Sequence, residues 1–115
     1  MMSSLMLNPF QGKKILLVDD DPFFHKALTK LFCRYLPEVE IYGAMSFSEA
    51  KDLISKKNFD LAICDYHLPD SEKGEAIEYL VKAKISTVVL TGSYEPAIRE
   101  FCLHLGVAAE SLSKV

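Results

Sequence analysis

Short, wholly apolar runs alternate along this chain with longer stretches in which apolar residues recur every three or four positions. Ile15-Leu16-Leu17-Val18 is the first run; with no polar alternation, it predicts a strand buried on both faces, as in a parallel sheet. It stops at Asp19-Asp20-Asp21-Pro22, where Asp21 supplies an N-cap and Pro22 a first-turn residue whose missing N–H would be unpaired anyway. The helix opened there is expected to turn Phe23, Phe24, Ala27, Leu28, Leu31, Phe32, Tyr35 and Leu36 inward. Pro37 ends it.

Val39 to Ala44 reads as a second strand. Ser46-Phe47-Ser48-Glu49 is a capping box that opens a helix with Phe47, Ala50, Leu53 and Ile54 inward. After a turn at Lys57-Asn58, Leu61-Ala62-Ile63-Cys64 forms a third strand running into Asp65. A polar loop from Tyr66 to Gly74 precedes a third helix with Ala76, Ile77, Leu80 and Val81 on its core face. The fourth strand, Thr87-Val88-Val89-Leu90, stops at Thr91-Gly92, and Pro96 lies near the start of a helix carrying Ile98, Phe101, Cys102 and Leu105. Gly106 ends that helix, and a weaker strand-like stretch runs from Leu112 to Val115. Strand–helix alternation repeated in this way predicts an α/β fold: a doubly wound parallel sheet with helices on both faces.

A length of 115 residues suits one small domain. Residues 1–12 read as an N-terminal arm and residues 13–115 as the domain. The arm contains Leu5-Met6-Leu7 but neither a basic region nor a long apolar stretch, which excludes a signal peptide or membrane span there. Thirteen basic and sixteen acidic residues leave a formal charge of −3, and Lys26, Lys30 and Arg34 form the one helix-spaced basic set. That set reads as a solvated helix face, so direct nucleic-acid binding is not expected. Cys33, Cys64 and Cys102 form no C-x-x-C pair, which suggests a reduced, cytoplasmic setting with cysteines used as small apolar residues. His25 and His104 are expected on helix surfaces, and no His/Cys spacing suggests zinc. Tyr66 and Tyr94 read either as cleft-rim residues or as exposed aromatics.

The informative polar residues stand out by position. Asp19, Asp20, Asp65 and Thr91 each fall at or just after the C-terminal end of an apolar run. In a parallel sheet those ends share one edge, where ligands of open α/β folds bind. Three carboxylates converging there repel one another unless a cation sits among them. Hard oxygen donors in a small cluster suit Mg²⁺. An acidic cleft with magnesium is suited to phosphate oxygens, and one carboxylate can then attack phosphorus. Thr91 offers a hydroxyl to a phosphoryl oxygen. Lys114 reads either as a second, cationic ligand for it or as a solvated terminal lysine.

Three segments carry a family resemblance. Lys13-Lys14-Ile15-Leu16-Leu17-Val18-Asp19-Asp20-Asp21-Pro22 resembles the opening of a response-regulator receiver domain of the CheY-like, two-component phosphorelay kind. Asp65-Tyr66-His67-Leu68-Pro69-Asp70 resembles that family's phosphoacceptor loop, and Val88-Val89-Leu90-Thr91-Gly92 its hydroxyl-bearing strand. The resemblance implies a flavodoxin-like, five-stranded sheet of order 2-1-3-4-5. It implies that Asp65 accepts a phosphoryl group from a sensor histidine kinase or phosphotransfer protein, in a Mg²⁺-dependent reaction that the domain itself helps to catalyse. Asp20 and Asp65 would ligate Mg²⁺ directly, Asp19 largely through water, and the His67 backbone carbonyl would be the third protein ligand. Thr91 would sense the phosphoryl group and Lys114 would pair with it. Gly92 would leave the site open to a donor, and His67 and Ser93 would tune the lifetime of the acyl phosphate. The acceptor loop and Leu90-Thr91-Gly92-Ser93 also resemble receivers fused to diguanylate cyclase output modules.

The chain departs from the family pattern in three places. The interval from Asp65 to Gly74 is one residue longer than usual, which implies a bulged loop. Ser111 and Val115 stand where an aromatic and a proline usually flank the lysine, so the usual aromatic switch is absent. The chain also ends where the family continues into a final helix; an apolar face should then be open, as in a domain excised from a longer regulator or one pairing into a homodimer. Two rival functions follow. A pseudo-receiver would keep the fold only for docking or dimerisation. The Asp19-Asp20-Asp21 segment also contains the D-x-D of haloacid-dehalogenase-type phosphatases, in which Asp19 would be the nucleophile.

Overall fold

A computed structural model describes residues 11–91 and 96–111, and the side chains among them up to Val107. Its sheet is built from β1 (Lys14–Val18), β2 (Glu40–Ala44), β3 (Leu61–Asp65), β4 (Ser86–Thr91) and β5 (Ala108–Ser111). The order is β2-β1-β3-β4-β5, and every neighbouring pair is parallel. This is the five-stranded, doubly wound arrangement expected. The helices are α1 (Pro22–Tyr35), α2 (Phe47–Lys56), α3 (Glu75–Lys82) and α4 (Pro96–Leu105).

Period-two side-chain alternation divides the core between the faces of the sheet. Leu16, Val18, Ala62, Cys64 and Val89 point to one side, where Ala50 of α2, Ala76, Ile77 and Leu80 of α3, and Ile98 and Cys102 of α4 cover them. Ile15, Leu17, Ile63 and Leu90 point to the other side, where α1 lies. The expected inward face of α1 is therefore too broad. Phe24, Leu28, Phe32 and Leu36 pack on the sheet. Ala27 is exposed, and Phe23, Leu31 and Tyr35 are 81%, 52% and 68% exposed. The packed positions follow a strict i, i+4 stripe, which is what one helix without a described neighbour can bury against a sheet. Among the described residues, an apolar groove of about 310 Å³ runs between Leu28 and Leu31 of α1, Leu36 just beyond it, and Ile63, Val88 and Leu90 on the sheet.

The last strand forms earlier than expected. Gly106, at φ +73°, ends α4, and Val107 N–H donates to the Cys102 carbonyl at 3.0 Å. The chain then passes directly into β5, where Ala108 pairs with Val88 and Ser111 with Thr91. Ala-Ala-Glu-Ser lacks the β-branched and aromatic residues that mark strands, so local propensity misses it and pairing with β4 decides it. Residues 112–115, including Lys114, lie outside the described residues, as do Gly92, Ser93 and Tyr94.

Candidate functional site

Asp19 follows the last residue of β1, and Asp65 is the last residue of β3. Because β1 and β3 are adjacent and parallel, with Val18 opposite Cys64, the two aspartates emerge side by side. Asp20 is the next residue after Asp19. Carboxylate oxygens of Asp19, Asp20 and Asp65 all lie within 4.8 Å of one another. Asp19 and Asp65 are 1% and 6% exposed, whereas Asp20 is open to solvent. Two carboxyl groups are thus withheld from water while a third stays accessible.

Local hydrogen bonds hold these groups. Asp19 Oδ1 accepts the Asp21 N–H at 2.9 Å, and Asp19 N–H donates to the Ala44 carbonyl at 3.0 Å. Asp65 Oδ1 accepts the His67 N–H at 3.3 Å. Asp21 caps α1 by accepting from Phe23 N–H at 2.9 Å, so the third aspartate of the run serves the helix, not the cluster. Thr91 ends β4, one residue beyond the Leu90 that pairs with Asp65, and is 5% exposed. The cleft continues outward over Asp20, His67, Leu68, Pro69 and Glu72, with a volume of about 460 Å³. Cys64 is buried beneath it, as expected. Its thiol is pushed far above the ordinary cysteine range, first by burial and then by the charges of Asp65 and Asp19.

The donor set fits a magnesium ion. All the clustered ligand atoms are hard carboxylate oxygens. Opposite oxygens on an octahedral Mg²⁺ are about 4.2 Å apart, given metal–oxygen distances of about 2.1 Å. Oxygens within 4.8 Å can meet one such ion through small side-chain rotations.

Several contacts were not legible in the sequence. His25 is not a simple helix-surface residue: it is half-buried, and its Nε2–H donates to the Asp19 carbonyl. Cys33, expected to serve as an apolar filler, is exposed. Asp70 reaches across to α2, accepting Phe47 N–H and Ser48 N–H at 2.9 Å each. Ser46 Oγ accepts Glu49 N–H at 3.1 Å, while Glu49 Oε1 reaches back to Met45 N–H at 2.9 Å, so the capping box closes one residue earlier than its usual form.

In the loop after β3, Leu68 and Ser71 exchange backbone hydrogen bonds at 3.3 and 3.1 Å around Pro69-Asp70. Buried Ser71 accepts Ala76 N–H through its Oγ at 2.8 Å, tying the loop to α3. Tyr66 is half-buried and packs edge-on against Phe101 of α4, with ring centroids 5.5 Å apart. Of the two readings left open for Tyr66, neither describes it fully: it bridges the end of β3 to α4. His104 is exposed, as expected.

Comparison with known proteins gives a consistent family. Residues 15–114 match the family model described as the response regulator receiver domain. The response regulator protein PilR of Pseudomonas aeruginosa is 26% identical over 91 residues, covering 76% of this chain. The chain corresponds to only 20% of that protein's length. A CheY-like response regulator receiver domain protein from Methanospirillum hungatei JF-1 superposes with a TM-score of 0.71 at 30% identity, covering 90% of this chain and 82% of that one. The response regulator TrrA of Thermotoga maritima, solved in complex with Mg(2+)-BeF, gives 0.72 at 25% identity over 90% of this chain and 87% of that one. No helix among the described residues is long and apolar enough to cross a membrane.

Proposed function

Because this chain belongs to the response regulator receiver domain family, we propose that Asp65 accepts a phosphoryl group in a Mg²⁺-dependent reaction of two-component signalling. The observation that carries this reading is the meeting of Asp19, Asp20 and Asp65 within 4.8 Å at the carboxyl edge of the sheet. Asp65 is the central member: it ends the middle strand of the sheet and lies beside Thr91 and the outer cleft. A phosphoryl transfer site needs little more than a placed nucleophile and charge compensation.

Asp20 and Asp65 would hold Mg²⁺ directly, with the His67 carbonyl as a third protein ligand and Asp19 acting largely through water. The ion, when bound, neutralises charge on the phosphoryl oxygens. An Asp65 carboxylate oxygen attacks phosphorus as the donor's bond to phosphorus breaks, and the leaving group keeps that electron pair. The Thr91 hydroxyl donates to a phosphoryl oxygen, Lys114 pairs with another, Gly92 keeps the approach open, and His67 and Ser93 set how long the acyl phosphate lasts. The donor is a sensor histidine kinase or a phosphotransfer protein in the cytoplasm. The added charge then shifts the domain between two conformations, which an output domain or partner reads.

Incubation with acetyl phosphate and Mg²⁺, followed by intact mass, tests this reading. One phosphoryl increment that disappears in Asp65→Asn is expected. An increment located on Asp19 would instead support a phosphatase-like nucleophile, and no increment would support a domain kept for docking.

A further inference from the structure

The peptide joining Asp19 to Asp20 is gripped at its carbonyl by a residue from the next helix. His25 lies one turn into α1, and its Nε2–H donates to the Asp19 carbonyl. The peptide on the other side of Asp19 is held as well, since Asp19 N–H donates to the Ala44 carbonyl of β2 at 3.0 Å. The imidazole is itself braced. A Cβ on Gly43 would lie 2.8 Å from His25 Nδ1 and 3.1 Å from Cε1, closer than packed atoms tolerate. Gly43 therefore makes the slot in which the ring rests. A carbonyl can only accept, so Nε2 carries the proton.

Rotation about the Asp19 Cα–C bond turns its carbonyl and swings the Cα of Asp20 together, and Asp20 is the exposed member of the acidic trio. The cost of misplacing it falls on metal binding, because two charged ligands must reach one small ion of strict geometry.

We infer that His25, seated on Gly43, is a positioning residue for the Mg²⁺ site: it fixes the Asp19–Asp20 peptide so that the Asp20 carboxylate faces Asp65. This rests on the functional reading above and extends it to two residues outside the acidic cluster. The geometry separates it from a general packing role, because a side-chain amide nitrogen at the end of glutamine sits where Nε2 does, whereas that of asparagine sits where Nδ1 does. His25→Gln restores the donor; His25→Asn cannot reach.

The test measures Mg²⁺ affinity by calorimetry for wild type, His25→Ala, His25→Asn, His25→Gln and Gly43→Ala, with urea midpoints taken alongside. Loss of a residue that orients a metal ligand weakens binding by about tenfold or more. That loss is expected for His25→Ala, His25→Asn and Gly43→Ala, with near wild-type affinity in His25→Gln. The Asp20 amide cross-peak of the Mg²⁺-free protein should move in the first three variants and stay in place in His25→Gln, since that N–H shares a peptide with the Asp19 carbonyl. Adding Gly43→Ala to His25→Ala should weaken binding no further, because the ring that the new Cβ displaces is already gone.

Mg²⁺ affinity in His25→Ala within twofold of wild type, or equal loss in His25→Gln and His25→Asn, overturns the inference. No Mg²⁺ binding by the wild-type chain overturns the functional reading itself, and this inference with it.

Discussion

The ring of Phe101 occupies the space that a side chain on Gly74 would need: its Cζ lies 2.6 Å from the position of a Cβ there. Gly74 opens α3 in the left-handed region, at φ +79°, and Tyr66 Cε2 also lies 3.0 Å from that Cβ position. One glycine thus lets the segment just after β3, α3 and α4 meet.

Gly74→Ala combines backbone strain with a clash, so a loss of about 2–3 kcal/mol in urea unfolding is expected. Phe101→Leu in the same background should recover part of it by shortening the obstructing ring. No recovery would mean that strain alone sets the cost.

The Asp70 carboxyl is held below its ordinary range. Burial works against its charge, but the N–H groups of Phe47, Ser48 and its own backbone outweigh burial, with help from Lys51. A depressed folded pKa stabilises the fold above the unfolded pKa, and the contribution is lost as pH falls through the folded value. Urea midpoints should therefore drop on acidification below about pH 4. Asp70→Asn should be less stable at pH 7, and its difference from wild type should shrink in that acid window.

Ligand linkage makes the metal visible in unfolding. Mg²⁺ at a hundredfold excess over its dissociation constant should add about 2.7 kcal/mol to stability. Asp20→Asn and Asp65→Asn should lose most of that gain at the same Mg²⁺ concentration. Equal stabilisation of all three proteins would place the ion elsewhere.

Lys84 stands at φ +61° in the turn between α3 and β4, a conformation that costs a side-chain-bearing residue about 1 kcal/mol. Lys84→Gly should raise stability by up to about that amount, and Lys84→Val should lower it, both by urea denaturation.

An exposed apolar residue of α1 and a buried one of β1 should respond very differently to truncation. Phe23, 81% exposed, should tolerate alanine within about 0.5 kcal/mol. Leu16→Ala, at a fully buried strand position, should cost about 2–5 kcal/mol. Thermal or urea unfolding of the two variants measures both.

Much of this molecule was legible in its sequence, because apolar runs of strand length and helical periods are local signals. The order of elements, the caps at Asp21 and Ser46, and the placing of Asp19, Asp20 and Asp65 at strand ends all follow from residues a few positions apart. Parallel pairing then brings the three carboxylates together. What tertiary structure decided were contacts between segments with no local signature. Asp70 caps a helix more than twenty residues earlier, His25 grips the carbonyl of Asp19 across a gap that Gly43 leaves open, and β5 forms from Ala-Ala-Glu-Ser because β4 offers it an edge. How much of α1 is buried belongs with these. Helical period marks which residues are apolar, but only a neighbouring surface determines which of them leave water.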